Sequence, residues 1–183
     1  HRAVFFGELW PRIRDLDTME DRILEVNRWC HEHASYEAQD DRTASPLTVY
    51  RSGSGRCGEK SGFLVSALRS IGIPARQVYS PRWAHCDDNH AWVEVLCNGE
   101  WKFLGACEPE PAADRGWFRA AASKAMLIRS RVPDPAREEG YRIVNTTSRY
   151  AQTTLLSVWV TANGQPVPGV QVRFQLINYS RIQ

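Results

Sequence analysis

The dipeptide Asn98-Gly99 stands between two runs of alternating residues, His90 to Cys97 and Glu100 to Leu104. Both residues tolerate positive φ, which the type I′ turn of a two-residue hairpin demands. The turn sets the register, so Cys97 faces Glu100 and Trp92 faces Gly105. Alternation sends Ala91, Val93, Val95 and Cys97 to a buried face. His90, Trp92, Glu94 and Leu96 take the other face, so His90 lies off the obvious core stripe. A short strand over Ala75 to Tyr79 precedes the hairpin.

Helices come before the strands. Thr18 and Asp21 form a capping box for a helix reaching about Ser35, with Ile23, Val26, Trp29 and Cys30 as its apolar face. His31 and His33 near its end read as dipole contacts or a solvated face. Glu37 to Ser54 is too rich in Asp, Arg, Ser and Gly for a core element. A second helix runs from Cys57 to Ile71 with Leu64, Ala67, Leu68 and Ile71 inward. Gly72 suits the left-handed position after it, and Pro74 forbids continuation. Helices followed by an antiparallel sheet make an α+β chain. The Ala-rich segment Asp114 to Arg131 reads as one more helix, anchored by Trp117 and Phe118.

With 183 residues, the chain is long enough for one domain and part of another. We expect a core over 1–133, a charged and Pro-interrupted linker over 134–149, and a β-rich remainder over 150–183. In that remainder, strands over Leu155 to Thr161 and Val170 to Leu176 flank the turn Asn163-Gly164-Gln165-Pro166, the opening of a truncated β-sandwich. The start, HRAVFFGELWPRIR, lacks both an initiator Met and a signal-peptide layout, so a fragment or processed product is expected. The 23 basic and 21 acidic side chains leave a net charge of +2, too little to argue for nucleic acid. No run of 18 apolar residues exists, so no membrane insertion is expected.

Five cysteines, an odd number, leave at least one unpaired within a monomer. Cys57 stands out because it opens a helix. Orphan amides and the positive end of the dipole favour a thiolate there, and the same amides can hold an oxyanion. Gly53, Gly55 and Gly58 allow close approach, and Arg56 and Lys60 add positive charge. The competing reading is a small buried thiol on a core helix. A nucleophilic Cys needs a base, and His90, aimed by a rigid strand, fits better than His85 in an irregular stretch. An acid orienting His90 belongs at its diagonal neighbour, but that position is Gly105. Glu108, just before Pro109, could swing back to replace it; Asp87, Asp88 and Asn89 are weaker alternatives.

The blocks Gly55-Arg56-Cys57-Gly58-Glu59, Gly72-Ile73-Pro74-Ala75-Arg76 and His90-Ala91-Trp92-Val93-Glu94 occur in order, and Gly99-Glu100-Trp101 follows. Over about residues 18–110 this pattern resembles the transglutaminase-like superfamily, which includes the peptide N-glycanases. The resemblance implies a papain-like cysteine-enzyme fold, with Cys57 as nucleophile and His90 as general acid and base. It places an Asp four residues after the return-strand Trp, which from Trp101 is Gly105. Ala106-Cys107-Glu108 is similar to the glycanase Asp-x-Cys-Glu block without its Asp. Asn163 to Phe174 resembles the immunoglobulin-like modules that often follow such cores in bacterial surface proteins, which points outside the cytoplasm.

The leading expectation is acyl transfer on a protein or peptide amide through a Cys57 thioester, with no cofactor. Its catalytic residues are Cys57, His90 and Glu108, and Trp83 and Trp92 contact substrate; Trp101 and Trp117 are further aromatic candidates. A second reading is a silent peptide- or glycan-binding module, because Gly105 replaced the acid. A third is a metal site from Cys86, His90 and Cys107 with His85 or Cys57, although the paired ligand spacing of zinc sites is missing.

Overall fold

A computed structural model describes residues 1–38, 43–173, 175, 177, 178, 181 and 182. The helices are α1 (Arg2–Ile13), α2 (Met19–His33), α3 (Pro46–Ser52), α4 (Cys57–Ser70) and the one-turn α5 (Arg119–Ala122). Two-residue strands β1 (Ser35–Tyr36) and β2 (Ser54–Gly55) pair in parallel beside the start of α4. The main sheet holds β3 (Ala75–Ser80), β4 (His90–Cys97), β5 (Glu100–Leu104), β6 (Arg129–Pro133) and β7 (Tyr141–Asn145). It is antiparallel throughout, in the order β5-β4-β3-β6-β7.

The hairpin forms as its turn dictates. Asn98 and Gly99 have φ of 51° and 86°, and Cys97 pairs with Glu100. The helix signals are also realised. The Asp21 amide donates to Thr18 Oγ1 at 3.0 Å. Gly72 sits at φ 86°, and the Ile73 amide closes on Leu68 O at 3.0 Å.

Two segments depart from expectation by becoming helical. The first residues form α1, which buries Phe5, Leu9 and Ile13 at four-residue spacing. The polar stretch Glu37 to Ser54 contains α3, because its ends are well capped. Ser45 Oγ accepts from the Thr48 amide, Pro46 opens the first turn, and Gly53 closes it at φ 72°. Buried Val49, with Leu47 and Tyr50 packed against the core, docks so short a helix.

The opposite correction applies to Asp114 to Arg131. Only α5 is helical there, and β6 already begins at Arg129. Alanine propensity favours a helix by tenths of a kcal/mol per residue. Packing of Phe118, Ala122, Ala125 and Ile128 under Trp92 outweighs it. The Ile128 amide donates to Thr147 Oγ1 and its carbonyl accepts from the Thr146 amide, which draws the chain into the sheet.

The sheet is therefore covered on both faces. Helices α2 and α4 pack against Val93, Val95 and Cys97, and α1 packs on those two helices. On the other face Trp83, Trp92, Phe118 and Ile128 make a second core. Residues 134–149, expected as a linker, supply a connection, β7 and a short 3-10 turn, all continuous with the sheet. Arg149, the last residue of that turn, and Tyr150 after it fix the layer in place. Arg149 Nε and Tyr150 Oη donate to Glu94 Oε1 at 2.8 and 2.7 Å. Arg76 Nε donates to Glu94 Oε2 at 2.6 Å.

Among the described residues, the expected sandwich strands do not form. Residues 152–160 have no regular structure, and Leu155 and Trp159 are exposed. Strands β8 (Thr161–Ala162) and β9 (Gln165–Pro166) form only a minimal hairpin on Asn163-Gly164. Of the expected strand Val170 to Leu176, residues 170–173 and 175 carry no strand, and Phe174 and Leu176 lie outside the described residues. Two strands without a third or a packed face are marginal in water. Among the described residues, no helix is long and apolar enough to cross a membrane.

Glu94 has no exposed surface, and its two oxygens take three charged or hydroxyl donors. Glu94→Gln removes the counter-charge of Arg76 and Arg149. Urea unfolding should show a loss of about 3 kcal/mol, the low end for a broken buried pair because Arg149 stays partly hydrated.

Candidate active site

Cys57 is the first residue of α4 and is partly buried. Glu59 holds the helix start, accepting from the Arg56 amide at 3.1 Å and from the Ala44 amide. A Cβ at Gly55 would meet Glu59 Cβ at 3.2 Å, so this glycine makes room for the cap. A Cβ at Gly58 would meet nothing within 4 Å. Gln77 on β3 donates to Gly58 O and Ser61 Oγ at 2.8 and 2.7 Å, tying the helix start to the sheet.

The Cys57 sulfur lies against the backbone amides of Ala91 and Gly58. Ala91 directly follows His90, so the helix start and the strand start meet at the thiol. Burial raises the thiol above its ordinary range, and the two amides and Arg56 only partly offset this. The helix-start argument for a resting thiolate thus loses to desolvation.

His90 pairs with Ser80 across β3 and β4 and is 6% exposed. Its ring lies among Trp117, Phe118, Trp92 and Trp83, with centroids 4.8, 5.1, 6.0 and 6.1 Å away. Burial in this aromatic box lowers its pKa to about 4; Asp88 opposes the shift and Lys60 adds to it. Among the described residues, the buried His90 Nε2 has no hydrogen-bond partner.

The gap at Gly105 is filled by Glu108. A Cβ built on Gly105 would lie 2.6 Å from Glu108 Oε2 and 2.9 Å from Glu108 Cβ. The carboxylate therefore occupies the space where a side chain at 105 would begin. The expected contact with His90 is not made, however. Glu108 Oε2 accepts instead from Trp117 Nε1 at 3.0 Å. Burial raises the Glu108 pKa, with Lys60 and the indole bond pulling it down.

The corner that carries Glu108 hangs on α2. Asn27 Nδ2 donates to Gly105 O at 3.0 Å and Glu108 O at 3.2 Å, and Asn27 Oδ1 accepts from the Cys107 amide at 2.9 Å. His31 Nδ1 lies 3.0 Å from Cys107 O. Cys107 sits at φ 58°, a left-handed conformation that these bonds over-determine. Neither Asn27 nor His31 is among the site residues expected from the sequence. The available signal was a polar residue, Asn27, within the buried stripe of Ile23, Val26 and Cys30.

The expected substrate tryptophans are walls. Trp83 is 3% exposed, and Trp92 is fully buried with its indole donating to Tyr150 Oη at 2.9 Å. Trp117, at 64% exposure, is the aromatic at this site open to a ligand. His85 stacks on Trp83, and Asp88 caps the Asn89 amide at 2.7 Å. The metal alternative does not assemble: Cys86 is exposed, and the Cys107 thiol faces Lys60 O. Among the described residues, no group of three His, Cys, Asp or Glu is placed to hold an ion.

Residues 9–120 match the profile of the Transglutaminase-like superfamily. Over 73 residues the chain is 33% identical to the peptide-N(4)-(N-acetyl-beta-glucosaminyl)asparagine amidase of Eremothecium gossypii. That match covers 39% of this chain and 19% of the amidase. A candidate cysteine protease of Cytophaga hutchinsonii superposes with a TM-score of 0.50 at 16% identity, covering 88% of this chain and 56% of its own. A candidate protease of Parabacteroides distasonis gives 0.52 at 13% identity, covering 70% and 26%. The chain thus spans about a fifth of the amidase and little more than half, or a quarter, of these solved chains.

At neutral pH Cys57 rests as a thiol and His90 as a neutral imidazole. Alkylation of Cys57 by iodoacetamide, followed by peptide mass spectrometry, should climb with pH through the neutral range. It should lack the acid-side plateau of a preformed ion pair. The depressed His90 pKa also has a stability sign. Between pH 6.5 and about 4 the unfolded chain binds a proton that the folded chain refuses. Stability is full above that window and falls as pH drops through it, by roughly 3 kcal/mol, readable from urea midpoints.

Proposed function

We propose, from the premise that the chain belongs to the transglutaminase-like superfamily, that it is a cysteine-dependent acyl-transfer enzyme acting on amides of a protein or peptide. The observation that carries this reading is the meeting of the Cys57 sulfur with the amide next to His90, at the start of a helix. A neutral imidazole beside a protonated thiol is a general base beside its proton.

In this mechanism Cys57 Sγ attacks the amide carbonyl carbon while its proton passes to His90. The carbonyl oxygen becomes an oxyanion held by amides at the start of α4. The C–N bond then breaks as His90 returns the proton to the departing amine or ammonia. The thioester is opened by water, giving a carboxylic acid, or by an amine, giving a new amide. His90 takes the proton of that acceptor, and the thiol leaves with it. Glu108 is the acid assigned to orient and stabilise the imidazolium. The amidase relative, named for an amide-cleaving activity, supports the substrate class.

The test uses a library of Gln- and Asn-containing peptides, assayed for ammonia or amine release with and without a small primary amine. Cys57→Ala should abolish turnover, and His90→Ala should reduce it by about 10³-fold or more. Turnover unaffected by Cys57→Ala would overturn the proposal.

One observation favours a second reading, the catalytically silent binding module: His90 Nε2 is left without a partner. That reading predicts peptide binding by wild type and Cys57→Ala alike, with no product from either.

A further inference from the structure

Three facts converge on Trp117. Its indole is 64% exposed although its neighbour Phe118 is fully buried. Its Nε1–H is the donor that holds Glu108 Oε2, at 3.0 Å. Its ring lies 4.8 Å from the ring of His90, whose Nε2 is buried and unpaired.

We propose that Trp117 is a latch on Glu108: the indole N–H holds the carboxylate away from His90 in the resting protein. A peptide carbonyl that accepts the indole N–H frees Glu108 to pair with His90 Nε2. Trp117 is thus a positioning residue that acts through Glu108, and the inference rests on the reading of Cys57 and His90 as the reacting pair.

The exchange adds one hydrogen bond. The indole gives up one acceptor and gains another, the peptide carbonyl. The carboxylate gives up one donor and gains the imidazole. The net gain is a partner for a buried nitrogen, which is costly to leave unpaired. An imidazolium–carboxylate bond is also charge-assisted and stronger than the neutral donor it replaces. Asn27 and His31 clamp the corner backbone, so the proposed change is one of the side-chain torsions of Glu108. The carboxylate already starts from the volume that a side chain at 105 would fill. Asp88, from the loop before β4, and Lys60, from α4, act on the charge of His90, while Cys57 opens α4 and Glu108 stands at the corner held by Trp117. Of these, Glu108 is the acid held by an exposed, displaceable donor.

The latch is tested without substrate, by following the His90 ring nitrogens in an NMR pH titration. Trp117→Phe keeps the ring and removes the donor. The His90 midpoint should rise, corresponding to at least a tenfold gain in proton affinity. Trp117→Phe with Glu108→Gln should return it to the wild-type position. A second pair, Gly105→Asp with Glu108→Gly, plants an acid at 105 and clears the close contact; it should raise the midpoint with Trp117 intact. No rise in Trp117→Phe, or a rise that survives Glu108→Gln, overturns the latch. A rise in the Gly105→Asp pair alone overturns it too, because the position then accepts an acid that Glu108 does not supply. Failure of Cys57 to turn over peptides would refute the acyl-transfer reading and leave the His90 titration to decide the latch separately.

Discussion

Glu94 puts a carboxylate at the centre of the sheet with no exposed surface, and three donors answer it. One of them, Arg76, comes from the neighbouring strand. The other two, Arg149 and Tyr150, come from beyond β7, some fifty residues away in sequence. Tyr150 also takes the indole proton of Trp92, so the same contact pins the second core. That core covers the face of β4 on which His90 stands. The desolvation that lowers the His90 pKa to about 4 is therefore a consequence of how the far end of the domain is anchored. A carboxylate four residues away along one strand face sets the environment of the base.

What could be read in the sequence was what local chemistry decides. Asn98-Gly99 set the turn and register, Thr18 and Gly72 set helix ends, and Cys57 marked the start of α4. The second layer was not legible for a physical reason. Trp83, Phe118, Ile128 and Tyr150 come from irregular segments with no period to detect. Local signals also misled where packing or caps outweighed composition, as in the Ala-rich stretch that became α5 and β6, and in α3. His90 fell off the core stripe only while that layer was unseen.

The site shows the same division. The pair Cys57 and His90 follows from a helix start and a strand start. The acid does not, because its place is decided by a corner whose hydrogen bonds come from α2. Gly105 leaves a space, Glu108 fills it, and Trp117 takes up the carboxylate. Residues Asn27 and His31, remote in sequence from the corner, hold it in a left-handed conformation at Cys107. A polar side chain inside an apolar helix stripe was the trace this left in the sequence.

The account stands on Cys57 forming a covalent bond to its substrate. The direct measurement is rapid acid quenching during reaction with a peptide amide, followed by proteolysis and mass spectrometry of the Cys57 peptide. The account predicts an acyl adduct on Cys57 in wild type that persists when water and amine acceptors are limited. A reaction that proceeds with no adduct on Cys57, or with the adduct on another cysteine, would contradict it.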